Sequence, residues 1–401
     1  MSQWMIPYDK LDENQLQFID EDIHKEKRIW IQGFAGSGKS VLLLHTVADI
    51  RIKEKDSKIC IVVFTHSLKQ LFIAGMHELN IKNIMLFTYY EFEKRGYDFD
   101  YIFCDEVQDL PPSILKKMKA RSKKRLILSG DKNQSIYICD PKTKEAVVRH
   151  NEIATITEAK SYKLDTNYRL TKSILESVKE LLPSVGENIS SKIDKTKKNI
   201  TPLLIHANSY KEEVEYLLNK AEESIELEEN VLILLPTHFD IMNFINLSLE
   251  LKNIEPWEII YNRWKNIKSK DDHIHKNIDY SKLHFYLKKN NINIEYIGNG
   301  YGNLYENGNK KIILMTYHSA KGLDFDNVFL PFLEKNDEDN NSFFTDVLFM
   351  VGMTRTKKQL ILSYVNNLHP YIETFKNICT KLNVNDIPTN KSSDELDDFD
   401  F

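Results

Sequence analysis

Short apolar, β-branched runs alternate with longer stretches of helical period along nearly the whole chain, the layout of parallel sheets covered by helices. The runs predict strands over residues 28–32, 58–65, 101–105 and 125–129 in the first half. In the second half they predict strands over 201–206, 230–235, 292–297, 311–316, 327–330 and 359–364. Stretches such as KICIVVFT and KIILMTYH are apolar on successive residues rather than alternate ones, which suits strands buried on both faces. No repeat of fixed period breaks the pattern. Two α/β units are expected, over 1–163 and 164–386, with the boundary near Lys160 to Leu164, where a new cycle of strands begins. The stretch from 252 to 281 lacks strand periodicity and is expected to be either a small insertion or an irregular helical excursion. Residues 387–401 carry no core-forming pattern and are expected to be a disordered tail.

Length and composition fit that division. The 401 residues give room for two α/β domains, each able to bury a core, but not for a third of similar size. No segment approaches eighteen consecutive apolar residues and the start of the chain has no basic region followed by an apolar run, so a membrane span and a signal peptide are not expected and a cytoplasmic setting is. Cys60, Cys104, Cys139 and Cys379 lack any C-x-x-C spacing, which argues against a zinc knuckle or a disulfide framework. The net charge of -5 opposes binding to a phosphate backbone only at first sight, because residues 391–401 hold one lysine against five acids and the rest is close to neutral.

The chemistry begins at residues 33–40. Gly33-Phe34-Ala35-Gly36-Ser37-Gly38-Lys39-Ser40 fits the pattern G-x-x-x-x-G-K-[ST], with a strand-like run (RIWIQ) entering and an amphipathic helical run leaving. Glycines let the backbone curl so that successive N–H groups face phosphates, while Lys39 adds a mobile charge and Ser40 a magnesium ligand. ATP and Mg2+ are therefore the expected cofactors. Asp105 and Glu106 close a second apolar run at the edge where open α/β sheets bind ligands: Asp105 is expected to hold the metal, and Glu106 to orient and deprotonate a water.

The residues beyond this pair narrow the field. Asp105-Glu106-Val107-Gln108-Asp109 resembles the DExQD box of the UvrD/Rep/PcrA branch of the superfamily-one helicases, and further segments resemble that family in its own order. Leu11 to Gln15 resembles the adenine-reading Q motif, Phe64-Thr65-His66 motif Ia, and Phe87-Thr88-Tyr89-Tyr90 the Thr-aromatic motif after it. The run from Gly130 to Tyr137 resembles GDxxQSIY. Asn167-Tyr168-Arg169, the run from Thr316 to Phe325, and Val351-Gly352-Met353-Thr354-Arg355 resemble motifs IV, V and VI.

The resemblance implies two RecA-like P-loop domains with parallel sheets flanked by helices. It implies that Gln134 senses the γ-phosphate, that Arg169 and Arg355 reach it as paired arginine fingers, and that Lys39 and Glu106 complete the catalytic set. Gln15 and Tyr168 would meet the base, with Gly33, Gly36, Ser37, Gly38, Gly322 and Asp324 near the ribose and phosphates. Single-stranded DNA, rather than RNA, would cross both lobes, held by Thr65, His66, Thr88 and His318 and stacked on Phe64 and Tyr137. Taken alone, Phe64 would be a strand-end core residue and each arginine a surface ion pair.

Departures from the family shape the expectation further. Val41 stands where relatives often carry an arginine against the base, and Ile138-Cys139-Asp140 replaces a segment with an aromatic platform. Only about ten residues separate Tyr90 from Tyr101, where larger members insert an accessory domain. The expected function is ATP-dependent translocation on single-stranded DNA, 3′ to 5′, with weak unwinding alone. Two alternatives stay open: an ATPase subunit gating a partner nuclease in anti-phage defence or repair, and a nucleic-acid-sensing NTPase switch that does not travel. Two basic stretches, 116–125 and 257–270, read either as phosphate-binding patches or as solvated and half-buried helix faces. The DELDDFDF terminus resembles the acidic tails of bacterial single-strand-binding proteins, which dock a terminal Phe on partners; its simpler reading is disorder.

Overall fold

The computed structural model describes residues 4–140, 143–186, 192–194, 196–261, 278–304, 310–334 and 345–386. The acidic tail and residues 262–277 of the expected insertion lie outside them. The first half supplies β1 (Arg28–Gly33), β2 (Ile59–Val63), β3 (Met85–Thr88), β4 (Phe99–Cys104), β5 (Ser122–Gly130) and β6 (Lys160–Leu164). They form a six-stranded sheet of order β3-β2-β4-β5-β1-β6 in which every pairing is parallel. Between the sheets, β7 (Thr166–Asn167) and β8 (Lys192–Ile193) make a short parallel ladder. The second half supplies β9 (Leu203–His206), β10 (Val231–Leu235), β11 (Ile294–Tyr296), β12 (Ile312–Thr316), β13 (Phe325–Leu330), β14 (Thr356–Tyr364) and β15 (Thr380–Asn383). These form a seven-stranded parallel sheet of order β11-β12-β10-β13-β14-β9-β15.

The central strands are the ones the apolar runs predict. β2 and β10 are buried at every position, as strands covered on both faces must be. The strands the pattern misses are at sheet margins or outside the sheets. β3, β6 and β15 are edges, β3 a run of only four residues and β6 and β15 rich in polar residues, and β7 and β8 are two residues each. Since β6 pairs with β1 from Ile29↔Lys160 to Gly33↔Leu164, the stretch expected to open the second unit is the closing edge of the first sheet, and position 163 falls inside it.

Two apolar clusters pack on the first sheet and two on the second. One of them crosses over: Phe34 and Ala35, from the loop after β1, are buried among Leu170, Tyr317, Ala320 and Met353 of the second half. The loop between strand and helix is thus clamped by apolar contact from the opposite sheet. Trp257 is buried in the core of the second sheet, which settles that residue as packing. The basic run 116–125 is largely paired: Lys117 with Glu93, Lys119 with Glu158, Lys123 with Asp98 and Lys124 with Glu54. Arg121 and Arg125 donate to the carbonyls of Phe92 and Glu26. Four of its seven cations are thus paired with carboxylates, on a partly solvated face that includes the start of β5.

Candidate functional site

β1, β4 and β5 are neighbours at the middle of the first sheet, so the segments leaving them open from one edge. After β1 the chain turns through Gly36 and Gly38, both left-handed (φ 82 and 81), into the helix Lys39–Lys53. A Cβ on Gly36 would lie 2.5 Å from the Cβ of Arg169, and one on Gly38 2.7 Å from Nε2 of Gln15. Only glycine permits both the backbone sign and that approach. A Cβ on Gly33 would stand 2.2 Å from the Ser37 hydroxyl. The Lys39 ammonium donates to the carbonyls of Gly33 (2.9 Å) and Phe34 (3.2 Å), at the mouth of the helix N-terminus, where anions are stabilised.

Beside this cradle the Ser40 hydroxyl donates to Asp105 at 2.6 Å, and Ser129 donates to the other carboxylate oxygen at 2.5 Å. Burial, then the adjacent Glu106, raises the Asp105 carboxyl above its ordinary value. Glu106 sits in the left-handed region (φ 56), which turns its side chain out of the strand line. Burial would raise its carboxyl too, but Lys321, Lys39, the Gln108 amide at 2.5 Å and Arg355 together hold it low. The cations around Glu106 therefore favour its carboxylate form in spite of its burial. Among the described residues no group of three or more His, Cys, Asp or Glu side chains forms a metal cage. A hydroxyl beside one carboxylate is instead the sparse oxygen set that Mg2+ accepts when phosphates complete its shell.

The second half supplies the facing wall. Arg355 is fully buried: it donates from Nε to the Val351 carbonyl (2.8 Å), from Nη1 to the Leu323 carbonyl (3.2 Å) and from Nη2 to Oε1 of Gln134 (3.0 Å). Burial and the nearby Arg169 push its guanidinium down to about 9, which leaves it charged at neutral pH. Arg169 bonds Asp324 at 2.8 Å and reaches the Thr354 carbonyl at 3.3 Å. Burial would raise Asp324, but Arg169 and Lys357 lower its carboxyl to about 2. Among the described residues the buried amide nitrogen of Gln134 has no hydrogen-bond partner, an available donor at the point where the two walls meet.

A cavity of about 280 Å3 lies between these walls. Of the residues expected here, Gly36, Gly38, Lys39, Ser40 and Glu106 line it from the first half. Gln134 lines it too, with Tyr168, Arg169, Gly322, Asp324 and Arg355 opposite. Gly33 and Ser37 shape the loop behind the wall, and Asp105 stands behind Ser40. Gln15 is also set back: its carboxamide closes a capping box with Asp12, whose carboxylate in turn accepts the Tyr168 hydroxyl.

Sequence reasoning missed several residues of the site. Trp4, Ile6, Lys197 and Lys357 line the cavity, and no spacing relates the first three to the phosphate loop. Lys321 falls within the segment that resembles motif V, which carries no expectation for it, and is fully buried between the sheets. Its ammonium bonds the Asp109 carboxylate and the Gln134 carbonyl and lies 3.8 Å from Glu106. Burial still raises the Asp109 carboxyl to about 7.

A second, larger cavity of about 650 Å3 runs across both halves. Phe64, Thr65, His66, Tyr137 and His318 all line it. Phe64 stacks on Tyr89 (5.3 Å between centroids, 5° between planes), Tyr137 leans on Phe64 at 4.8 Å, and His318 leans on Tyr137 at 5.7 Å. The aromatic chain thus passes from one sheet to the other. Burial and Lys321 lower the His318 imidazole, so it meets the groove as a neutral ring. The Thr65 hydroxyl accepts from the Leu68 N–H as a helix cap, and its own hydrogen is left to donate. Thr88, expected at the groove, is not among the residues that line it: it is 4% exposed and caps the helix Tyr89–Lys94 through a capping box with Glu91. Thr237, His238, Asn299 and Tyr301 line the groove without any motif to mark them.

Comparison with known proteins relates the chain to helicase families. Residues 29–238 match the viral superfamily 1 RNA helicase core domain, and residues 260–367 match the UvrD-like helicase C-terminal domain. A protein of Acanthamoeba polyphaga mimivirus named "Putative ATP-dependent DNA helicase" is 26% identical over 285 residues, 68% of this chain and 35% of its own length. The chain spans about a third of that relative. Among solved structures, the Arterivirus nonstructural protein 10 (helicase) aligns with a TM-score of 0.42 at 13% identity, covering 88% of this chain and 62% of its own. The PRRSV helicase aligns at 0.42 and 12%, covering 87% and 54%. Among the described residues, no helix is long and apolar enough to cross a membrane.

Proposed function

The chain belongs to the superfamily 1 helicases, and on that premise we propose that it is an ATP-driven motor that moves along single-stranded DNA. The observation that carries the reading is the bond from Arg355 to Gln134 across the cavity, because it ties a residue of one sheet to a residue of the other beside Glu106. Hydrolysis at that point would alter how the sheets are held together. The groove is lined from both sheets too, so a change in their separation changes the grip on a strand.

The chemistry is divided among the residues of both walls. Lys39 and the N–H groups of the loop hold the β- and γ-phosphates. Glu106 takes the proton of a water that attacks the γ-phosphorus as the bond to the β-phosphate oxygen breaks. Arg169 and Arg355 stabilise charge on the transferring group, and Gln134 donates through its free amide nitrogen. Ser40 and Asp105 would hold Mg2+, which neutralises phosphate charge when bound. The two motor units are proposed to divide just after β6, next to the expected boundary between 163 and 164, with β7 and β8 in the connection. DNA is proposed over RNA on the name of the mimivirus relative and on the UvrD-like match, against the RNA in the name of the other family. Movement from 3′ to 5′ is proposed by likeness to the UvrD-like group.

The test is steady-state ATP hydrolysis with single-stranded DNA, duplex DNA, RNA or no nucleic acid. Single-stranded DNA should stimulate most, and Lys39→Ala and Glu106→Gln should abolish turnover. Equal rates with and without nucleic acid would sink the proposal.

A further inference from the structure

The wall contributed by the second half holds more cations than its acids neutralise. Asp324 is shared out completely: one carboxylate oxygen bonds Arg169 at 2.8 Å and the other bonds Lys357 at 2.6 Å. Lys197 lines the same cavity and is half-buried, and among the described residues no carboxylate pairs with its ammonium. Burial and the repulsion of Lys357 and Arg169 depress its pKa, with Asp324 and Asp326 offsetting part of this. A lysine normally escapes such a position by reaching into water.

Its backbone is held in place. Thr166 and Asn167 pair with Lys192 and Ile193, the Asp194 N–H donates to the Asn167 carbonyl (3.0 Å), and the Lys197 N–H donates to the Asp194 carbonyl (3.0 Å). The Asp194 carboxylate accepts from both the N–H and the hydroxyl of Thr196, fixing the turn. Asn167 meanwhile donates to the Ala35 carbonyl at 2.7 Å and accepts the Arg169 N–H at 3.1 Å. One bonded unit therefore sets the phosphate loop, Arg169 and the Lys197 turn together.

We propose that Lys197 is a phosphate-binding residue, whose ammonium bonds the terminal phosphates of a nucleoside triphosphate beside Arg169. The proposal rests on reading this cavity as the ATP site. A polyphosphate supplies the negative charge that the wall lacks, and the ladder places Lys197 before the nucleotide arrives.

Calorimetric binding of a non-hydrolysable ATP analogue, of ADP and of AMP, with Mg2+, tests it in wild type, Lys197→Ala and Lys197→Arg. Lys197→Ala should weaken the analogue by about tenfold, the worth of one charge-assisted contact, and leave AMP within about twofold. Lys197→Arg should restore most of the loss, and the thermal midpoint without nucleotide should not fall, which separates binding from folding. Analogue affinity within about twofold of wild type in Lys197→Ala, or an equal loss for AMP, would overturn the proposal. A wild type whose analogue binding is absent, or indifferent to Lys39→Ala, overturns the ATP-site reading and takes this proposal with it.

Discussion

Arg355 and Gln134 come from opposite sheets and share a hydrogen bond of 3.0 Å, while the backbone carbonyl of the same glutamine accepts from Lys321. Gln134 is therefore gripped twice by the second half. Three residues later the chain reaches Tyr137, which lines the groove. A shift at the phosphate site that moved Gln134 would be felt there directly.

Removing that grip should separate binding from turnover. Gln134→Ala should lower DNA-stimulated kcat by about a hundredfold, the cost of one preorganised donor in a transition state. Affinity for a non-hydrolysable analogue should stay within about threefold. Steady-state rates and analogue titrations on the same preparation check this, and parallel losses in both would contradict it.

Lys321 should matter first for stability. Lys321→Met takes the cation from the buried Asp109 and leaves Glu106 with Lys39 and Arg355, and breaking a buried pair in this way costs about 3–5 kcal/mol. Adding Asp109→Asn removes the carboxyl left without its partner and should recover part of the loss. Urea unfolding of the two variants measures both steps; a single variant within about 1 kcal/mol of wild type would contradict the assignment.

The groove and the cap behind it should respond in opposite ways. Phe64→Ala should lose about 1–3 kcal/mol of single-strand affinity by fluorescence anisotropy with little change in stability, as loss of a stacking platform does. Thr88→Val should lose about 1 kcal/mol of stability with affinity unchanged, as loss of a helix cap does. A Thr88→Val protein of normal stability but weak DNA binding would restore the phosphate contact first expected of it.

Glu213 gives the second half a pH dependence. It is buried, accepts the Phe332 N–H at 2.9 Å, and burial raises its carboxyl to about 7. The folded state then holds a proton that the unfolded chain releases near pH 4.5. This contribution is complete below about pH 4.5 and is lost as pH rises through about 7. Glu213→Gln should carry no such dependence. Its thermal midpoint relative to wild type should rise from about pH 5 to about pH 8, and a constant difference would contradict the account.

Much of this molecule can be read from the chain alone because its chemistry is local. The phosphate loop is eight consecutive residues between a strand and a helix, and Asp105 and Glu106 directly follow a buried strand. The buried strands are legible for the same reason, since burial on both faces demands an unbroken apolar run. β3, β6 and β15 are not, because an edge strand such as Lys160–Leu164 faces water on one side and is held by backbone pairing that leaves no mark on its side chains. Long-range assembly hides the rest. Thr88 reads as a groove residue until its capping box is seen, and Lys197 has no motif at all. Its place is set by a two-residue ladder to Asn167.

The central claim is directed movement along a strand, and displacement of streptavidin from biotinylated single-stranded DNA tests it most directly. The account predicts ATP-dependent release from the 5′ end, slow release from the 3′ end, and neither with Glu106→Gln. Stimulated hydrolysis without accelerated release from either end would contradict it and leave a nucleotide-driven switch in its place.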